Sequence, residues 1–118
     1  MEGSLVSIIE TREFLQRARK IMTAEQQDDL VVFLARHPEA GDVIPDSGGV
    51  RKLRWLAEGR GKRGGSPVIY YFHDPSTPLV IFTVYAKNSK SDLSTKERRE
   101  LRAAVGEIVA ELKRQKRG

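Results

Sequence analysis

The chain has 118 residues, of which 39% are hydrophobic and 31% charged, a composition typical of one soluble globular domain with a modest core. It contains no cysteine, which excludes a disulfide scaffold and any cysteine-ligated metal. No run approaches the roughly 20 apolar residues of a membrane span. The first residues lack the basic start and long apolar core of a signal peptide. We therefore expect a cytoplasmic protein that makes no membrane contact.

The net charge of +5 is unevenly distributed along the chain. Residues 1–48 carry nine acidic and five basic side chains, whereas residues 49–118 carry sixteen basic and seven acidic ones. Segregated charge of this kind produces a directed field, which favours an anionic partner on the basic side. The alternative interpretation is ordinary solvated surface charge, because a high pI alone does not identify a nucleic-acid-binding protein.

The first half of the chain is predicted to form a strand and two helices. A β-branched run at residues 5–9 predicts the strand. Thr11 is placed to cap a helix that ends near Met22, and Thr23 with Gln26 fits a capping box that opens the second helix. Pro38 ends that helix, and turn residues predict a loop over residues 38–49.

Three strands and a helix are predicted in the second half. The strands are Arg51–Leu56, Val68–His73 and Leu79–Ala86, and their short connections favour antiparallel pairing. The last of them is nearly continuous in apolar residues, which predicts a central strand buried on both faces. A capping box at residues 94–97 opens an amphipathic helix from Thr95 to about Lys113, and the basic residues 113–118 are expected to fray.

These elements predict one α+β domain over residues 1–118, in the order β-α-α-β-β-β-α. The expected architecture is a mainly antiparallel sheet of about four strands, packed with the N-terminal helices and a C-terminal helix.

Basic and apolar side chains alternate along the first strand of the second half, which reads RKLRWL over residues 51–56. Neighbouring residues of a strand point to opposite faces, so Lys52 and Arg54 share one face. Leu53 and Trp55 share the other face with Arg51, and Trp55 is predicted to lie in the core. A glycine-rich basic loop, GRGKRGG, follows at residues 59–65. A hairpin with a cationic face and a cationic tip is suited to binding a polyphosphate.

Several motifs of this region resemble the RelE/HigB-like toxins of bacterial toxin–antitoxin pairs. They are GGVRKLRW, GKRGG, VIYY, and YAKN followed by DLS, and they occur in this order between roughly Leu30 and Leu101. The resemblance implies a compact fold of a sheet and helices. It also implies a ribosome-dependent endoribonuclease that enters the ribosomal A site, cuts the mRNA there and so inhibits translation.

The same resemblance implies the partners and the chemistry. A cognate antitoxin protein holds such an enzyme inactive, and the free toxin is expected to be a monomer or to form a hetero-oligomer with its antitoxin. The reaction uses no metal and no cofactor. The ribose 2′-hydroxyl attacks the adjacent phosphate of the mRNA and leaves a cyclic phosphate and a free 5′-hydroxyl.

The sequence departs from the family pattern at Pro67. In RelE/HigB-like toxins the strand after the Gly-Gly pair commonly opens with an arginine that points at the scissile phosphate. Proline offers neither charge nor a backbone donor, although it fits as the first residue of a strand. Loss of one donor aimed at developing charge typically costs about 10²–10³ in rate. Lys62 or Arg63 in the adjacent loop is a candidate for the missing cation.

Cleavage by a 2′-hydroxyl needs a proton acceptor, a group that stabilises the extra negative charge on phosphorus, and a proton donor for the leaving oxygen. Lysine and arginine can supply the charge, and a lysine crowded by other cations can act as a base. We predict three catalytic residues: Lys52, Arg54 and Lys87. The predicted RNA- or ribosome-binding residues are Arg51, Arg60, Lys62, Arg63, Tyr70, Asn88 and Lys90. Of these, Tyr70 is a candidate for stacking on a base, although strand tyrosines are more often core residues.

Other kinds of site find little support. His37 is expected at a helix end and His73 at the far end of the hairpin, so neither is well placed for proton transfer. The glycine-rich loop lacks the spacing of a Walker motif, and no two-histidine metal pattern is present.

Two further function classes remain open. One is a non-nuclease protein of the same fold, such as a ParE-like toxin that acts on DNA gyrase, or an RNA- or antitoxin-binding protein that has lost cleavage activity. Pro67 favours this class. The other is a small DNA-binding regulator, which the lack of a recognisable helix-turn-helix weakens.

Overall fold

A five-stranded mixed sheet lies between two helices on one face and a third helix on the other. The computed structural model describes residues 5–55, 65–88 and 92–117. The elements within these ranges are β1 (Ile8–Glu10), α1 (Arg12–Ile21), α2 (Ala24–Arg36), β2 (Asp42–Val43), β3 (Arg51–Trp55), β4 (Ser66–Tyr71), β5 (Leu79–Val84) and α3 (Thr95–Arg117). The predicted α+β class is confirmed.

The strands are arranged in the order β1-β5-β4-β3-β2. The pairs β3–β4 and β4–β5 are antiparallel, as their short connections predict. One strand prediction needs correction, and one strand pairing had been left open by the sequence. The predicted loop over residues 38–49 contains the short edge strand β2, and β1 pairs with β5 in parallel, with Ile8 opposite Leu79. The sheet therefore has five strands rather than about four.

The central strand is β4 rather than β5. Every residue of β4 is buried, including Pro67, because the strand has paired neighbours on both sides and packed side chains on both faces. In β5, Val80 and Phe82 are only half-buried. The ladder between β4 and β5 is interrupted by an irregularity between Ile69 and Tyr70.

Helices α1 and α2 cover one face of the sheet. Phe14, Ala18, Leu30 and Leu34 are buried against Val68, Tyr70, Leu79, Ile81 and Val84 of the sheet. Thr11 accepts a hydrogen bond from the backbone N–H of Phe14, and the Thr23–Gln26 capping box is formed, as predicted. The Thr11 hydroxyl also lies 2.9 Å from the carbonyl oxygens of Ile81 and Phe82, which ties the start of α1 to β5.

Helix α3 covers part of the other face. Val105 is buried in a second cluster with Ile44, Val50, Ile69, Tyr71 and Leu93, and Leu101, Ile108 and Val109 pack against it. The predicted capping box is present, with hydrogen bonds between Ser94 and Glu97 in both directions. The helix continues through Arg117 and does not end near Lys113. The predicted fraying of residues 113–117 is therefore wrong. No helix in the described ranges is long and apolar enough to cross a bilayer.

Candidate nucleic-acid interface

Lys52 and Arg54 lie side by side on the face of the sheet that α3 partly covers. Leu53 and Trp55 pack on the opposite face against the cluster beneath α1 and α2. Because side chains alternate along a strand, the two basic residues point to the face of the second cluster, as predicted. In the antiparallel register Lys52 lies opposite Ile69, and Arg54 lies opposite Pro67. Among the described residues, neither cation has a carboxylate within ion-pair distance.

The end of β5 lies across β4 from Arg54. The backbone N–H of Tyr85 donates to the carbonyl of Pro67 over 3.0 Å, so the chain after β5 leaves the sheet next to the start of β4. Lys87 and Asn88 follow in an exposed turn, in which Asn88 has a φ of 70°. Asparagine accepts this left-handed conformation more readily than most residues. The topology therefore places predicted residues Lys87 and Asn88 at the same end of the sheet as Arg54.

Pro67 fits this strand start without breaking the sheet. Its carbonyl pairs with Tyr85, and its position is near the beginning of β4, where a missing N–H is tolerated. The strand nevertheless begins one residue earlier, at Ser66, so Pro67 is its second residue rather than the first residue that the sequence predicted. The consequence is that the β4 residue facing Arg54 is buried and uncharged.

Gly65 allows the backbones of β3 and β4 to approach closely just before Pro67. A Cβ atom at this position would lie 2.7 Å from the carbonyl oxygen of Trp55 and 2.8 Å from its nitrogen. The Arg54 guanidinium donates a long hydrogen bond of 3.4 Å to the Gly65 carbonyl. The absence of a side chain at residue 65 therefore helps to set the position of the Arg54 end of β3.

Asp92 and Arg98 add charges to the interface that the sequence analysis did not identify. Arg98 Nη2 donates to Asp92 Oδ2 over 3.2 Å, and the backbone N–H of Leu93 donates to Asp92 Oδ1 over 2.9 Å. The Leu93 hydrogen bond, followed by the positive charges of Arg98 and Lys52, holds the pKa of Asp92 below its usual range. Arg98 Nε is buried and has no hydrogen-bond partner among the described residues. The one signal in the sequence that could have identified Asp92 is its position two residues before Ser94, which opens the capping box.

Two predicted binding residues have structural roles. Tyr70 is 0% exposed, and its hydroxyl donates to the Pro38 carbonyl and accepts from the Gly41 N–H, each over 2.8 Å. Burial raises the pKa of Tyr70, and its ring cannot stack on a base in this structure. The Arg51 guanidinium donates to the carbonyls of Glu39 and Gly41, on the face opposite Lys52 and Arg54. Tyr70 is therefore not exposed for stacking on a base, whereas RNA contact by Arg51 stays a prediction.

The remaining predicted residues, Arg60, Lys62, Arg63 and Lys90, lie outside the residues that the structure describes. Trp55 is half-buried rather than fully buried, with its ring centroid 5.3 Å from that of Phe33.

Both histidines lie away from Lys52 and Arg54, as the sequence predicted. His37 follows α2 and its ring packs 4.9 Å from the ring of Phe33. His73 follows the end of β4 that is opposite to Pro67, where its Nδ1 lies 3.0 Å from the Tyr71 hydroxyl. Neither histidine is therefore placed to transfer a proton beside Lys52 and Arg54. Within the described ranges, no three His, Asp or Glu side chains converge as metal ligands would.

A scan against protein-family models finds no match for this chain.

Proposed function

We propose that this chain is the toxin of a toxin–antitoxin pair and acts as a ribosome-dependent mRNA endoribonuclease of the RelE/HigB type. The observation that carries the proposal is the paired presentation of Lys52 and Arg54 on one sheet face, at the end of the sheet where the chain leaves β5 toward Lys87. Two cations on adjacent same-face positions of one strand suit a phosphodiester, because phosphate contacts dominate protein affinity for nucleic acids.

The rigid setting supports a catalytic use of this pair. Strand β3 is fixed by antiparallel pairing to β4 and by the packing of Leu53 and Trp55 on the other face. Charge aimed from a rigid element stabilises a transition state without the cost of reorganisation. In the proposed reaction Arg54 stabilises the negative charge that develops on the phosphoryl oxygens. Lys52, in its neutral amine form, takes the proton of the 2′-hydroxyl, and the ammonium group of Lys87, at the same end of the sheet, gives a proton to the leaving oxygen.

The proposed partners follow from this chemistry. The mRNA is bound in the A site of the ribosome, and a cognate antitoxin controls the free toxin. An antitoxin that covers the basic face would need acidic side chains there. An antitoxin that binds elsewhere would act by blocking entry into the ribosome.

A second candidate function is favoured by Pro67. This uncharged residue faces Arg54, so a protein of the same fold that binds RNA, antitoxin or another target without cleaving RNA is also consistent with the interface. The two functions differ in whether RNA is cleaved, so detection of new cuts in mRNA distinguishes them.

The test is induced expression of the full chain in bacteria, with primer extension on abundant mRNAs. The proposal expects growth arrest and new cuts inside translated reading frames, and both are lost in the double variant Lys52→Glu, Arg54→Glu. The matched control is Arg19→Glu, Lys20→Glu, which reverses two exposed charges on α1 and should leave the cuts unchanged. Growth arrest without cuts would support the non-nuclease toxin.

Ribosome co-sedimentation of purified protein separates binding from chemistry. The Lys52→Glu, Arg54→Glu variant should leave the ribosome fraction while keeping a wild-type circular-dichroism spectrum. Unchanged co-sedimentation would show that this face does not contact the ribosome.

A further inference from the structure

An open groove of about 410 Å³ lies between α1, the end of β5 and the first turns of α3. Glu13 and Arg17 form the α1 wall, and Glu97 and Glu100 form the α3 wall. Strand β4 separates the groove from Lys52 and Arg54, although Lys87 follows the groove residue Tyr85 by two positions.

The two walls of the groove are acidic. Three carboxylates face one guanidinium among the described residues that line it, in a chain whose net charge is +5. Arg17 is already paired with Glu13 over 3.2 Å, and Glu97 accepts a hydrogen bond from the backbone N–H of Ser94. Glu100 is exposed on the α3 wall. The groove therefore has negative charge available for a cationic occupant and repels an RNA phosphate.

The floor of the groove is suited to a flat cation. Phe82, Tyr85 and Leu101 supply apolar and aromatic surface between the acidic walls. The Arg17 guanidinium already lies 5.2 Å from the centroid of the Tyr85 ring. Stacking of a guanidinium on an aromatic face, with carboxylates at its edge, is the environment in which arginine binds better than lysine.

Thr83 provides an independent indication that the groove has an occupant. The residue lines the groove and is only 5% exposed, yet its Oγ1 has no hydrogen-bond partner among the described residues. Buried hydroxyls in native proteins almost always have a partner. Thr11, on the same groove, shows the normal case, since its hydroxyl contacts the carbonyls of Ile81 and Phe82. The Thr83 Oγ1 is buried in the free protein, so a ligand N–H would reach it after a local rearrangement of the groove floor.

We propose that this groove binds an arginine side chain presented by a protein partner. The aliphatic stem would lie on Phe82 and Leu101, and the guanidinium would reach Glu100 and the Thr83 hydroxyl. The inference does not depend on RNA cleavage by the Lys52–Arg54 face. It concerns a neighbouring surface, with the opposite charge preference.

The test is a nuclear magnetic resonance titration of the ¹⁵N-labelled full chain with N-acetyl-arginine amide. N-acetyl-citrulline amide, a neutral analogue of nearly the same shape, is the ligand control. Saturable shifts are expected at the amides of Thr83, Tyr85 and Glu100 with the arginine ligand, and none with citrulline. Equal shifts with both ligands, no saturation, or shifts only on other surfaces would overturn the proposal.

Three variants sharpen the test. Glu100→Gln should weaken binding of N-acetyl-arginine amide at least fivefold. Glu107→Gln makes the same charge change at an exposed position of the same helix and should leave binding unchanged. Thr83→Val should raise the melting temperature of the free protein, because it removes an unpaired buried hydroxyl, and weaken arginine binding at the same time. If Glu100→Gln and Glu107→Gln have equal effects, or if Thr83→Val leaves binding intact, the groove is not an arginine site.

Discussion

Arg54 faces Pro67 across the antiparallel pair of β3 and β4, so only one of the two strands carries a cation at this point of the sheet. In the toxins that this sequence resembles, the second position commonly carries an arginine directed at the phosphate. At this position of the sheet, β3 therefore carries a charged side chain and β4 carries an uncharged one.

Replacing Pro67 with arginine should strengthen the proposed nuclease. The new guanidinium would lie opposite Arg54 and add a second donor for the developing charge, so we expect the cleavage rate to rise, by up to about 10²-fold. The measurement is cleavage of a ribosome-bound mRNA by purified protein. Pro67→Gln is the matched control, since it restores the same backbone N–H without charge. Equal rates in the two variants would show that charge at residue 67 is irrelevant.

Removal of the Asp92 charge should tighten RNA binding. The carboxylate lies in the field of Lys52 and pairs with Arg98, so it reduces the attraction of both cations for phosphate. Asp92→Asn keeps an oxygen that can accept from Leu93, and we expect the affinity for single-stranded RNA to rise by roughly three- to tenfold at low salt.

Two controls test whether the effect of Asp92→Asn comes from the charge of Asp92. Because the pKa of Asp92 lies below its ordinary value, the carboxylate stays ionised from pH 5 to 8, and the difference between variant and wild type should be constant over that range. Asp28→Asn, an exposed site on α2, should leave RNA affinity unchanged. Weaker binding by Asp92→Asn would instead show that its contact with Arg98 orders the interface.

Deletion of the Tyr70 hydroxyl should destabilise the protein by about 2 kcal/mol, because it leaves the buried groups of Pro38 and Gly41 without this partner. Urea denaturation at pH 7 measures the change for Tyr70→Phe. Tyr71→Phe removes a hydroxyl that contacts the partly exposed side chain of His73, and its effect should be smaller. Equal losses in the two variants would contradict the structural role of Tyr70.

The same tyrosine predicts a loss of stability at alkaline pH. Burial raises the pKa of Tyr70 in the folded state, whereas the unfolded chain releases this proton near the ordinary value of about 10. The stabilising contribution is therefore present below pH 10 and is lost as the pH rises toward the folded-state pKa. The free energy of unfolding should fall above pH 10, and less steeply in Tyr70→Phe. Tyr71, whose pKa burial also raises, accounts for part of the remaining slope.

Two glycine-to-alanine changes should have opposite effects on stability. At Gly65 the added Cβ would contact the backbone of Trp55 at 2.7 Å, so we expect a loss of about 1–3 kcal/mol and displacement of the β3 end that carries Arg54. At Gly106 nothing lies within 4 Å of the added atom, and alanine should stabilise α3 by about 0.5–1 kcal/mol. Thermal unfolding of both variants tests the pair, and a stabilised Gly65→Ala would refute the close approach of β3 and β4.

Local signals in the sequence predicted most of the elements. Thr11, Thr23 and Ser94 each sit at a helix start with the expected capping contacts, because caps depend on residues only three positions apart. The opposite faces of Lys52 and Leu53 followed from strand alternation alone.

Features set by distant partners were not predictable in the same way. The parallel pairing of β1 with β5 has no local signal, and β2 is too short for periodicity to detect. Tyr70 and Arg51 looked available for RNA, but the fold brings the backbone of residues 38–41 to both of them. Asp92 and Arg98 are brought to the Lys52 face by the chain segment ahead of α3, which sequence spacing does not reveal.

The parallel pairing of β1 with β5 also sets an order of events during synthesis. Thr11 contacts Ile81, 70 positions later in the chain, so the first strand has no partner until β5 has been made. Until then the apolar sides of α1 and α2 have no complete sheet to cover, and loop closure over this distance is slow compared with the formation of the β3–β4–β5 hairpins. A chain that ends before Leu79 lacks the strand that joins both halves. The packing that holds Leu53 and Trp55 behind the basic face can thus be completed only after β5 has been synthesised.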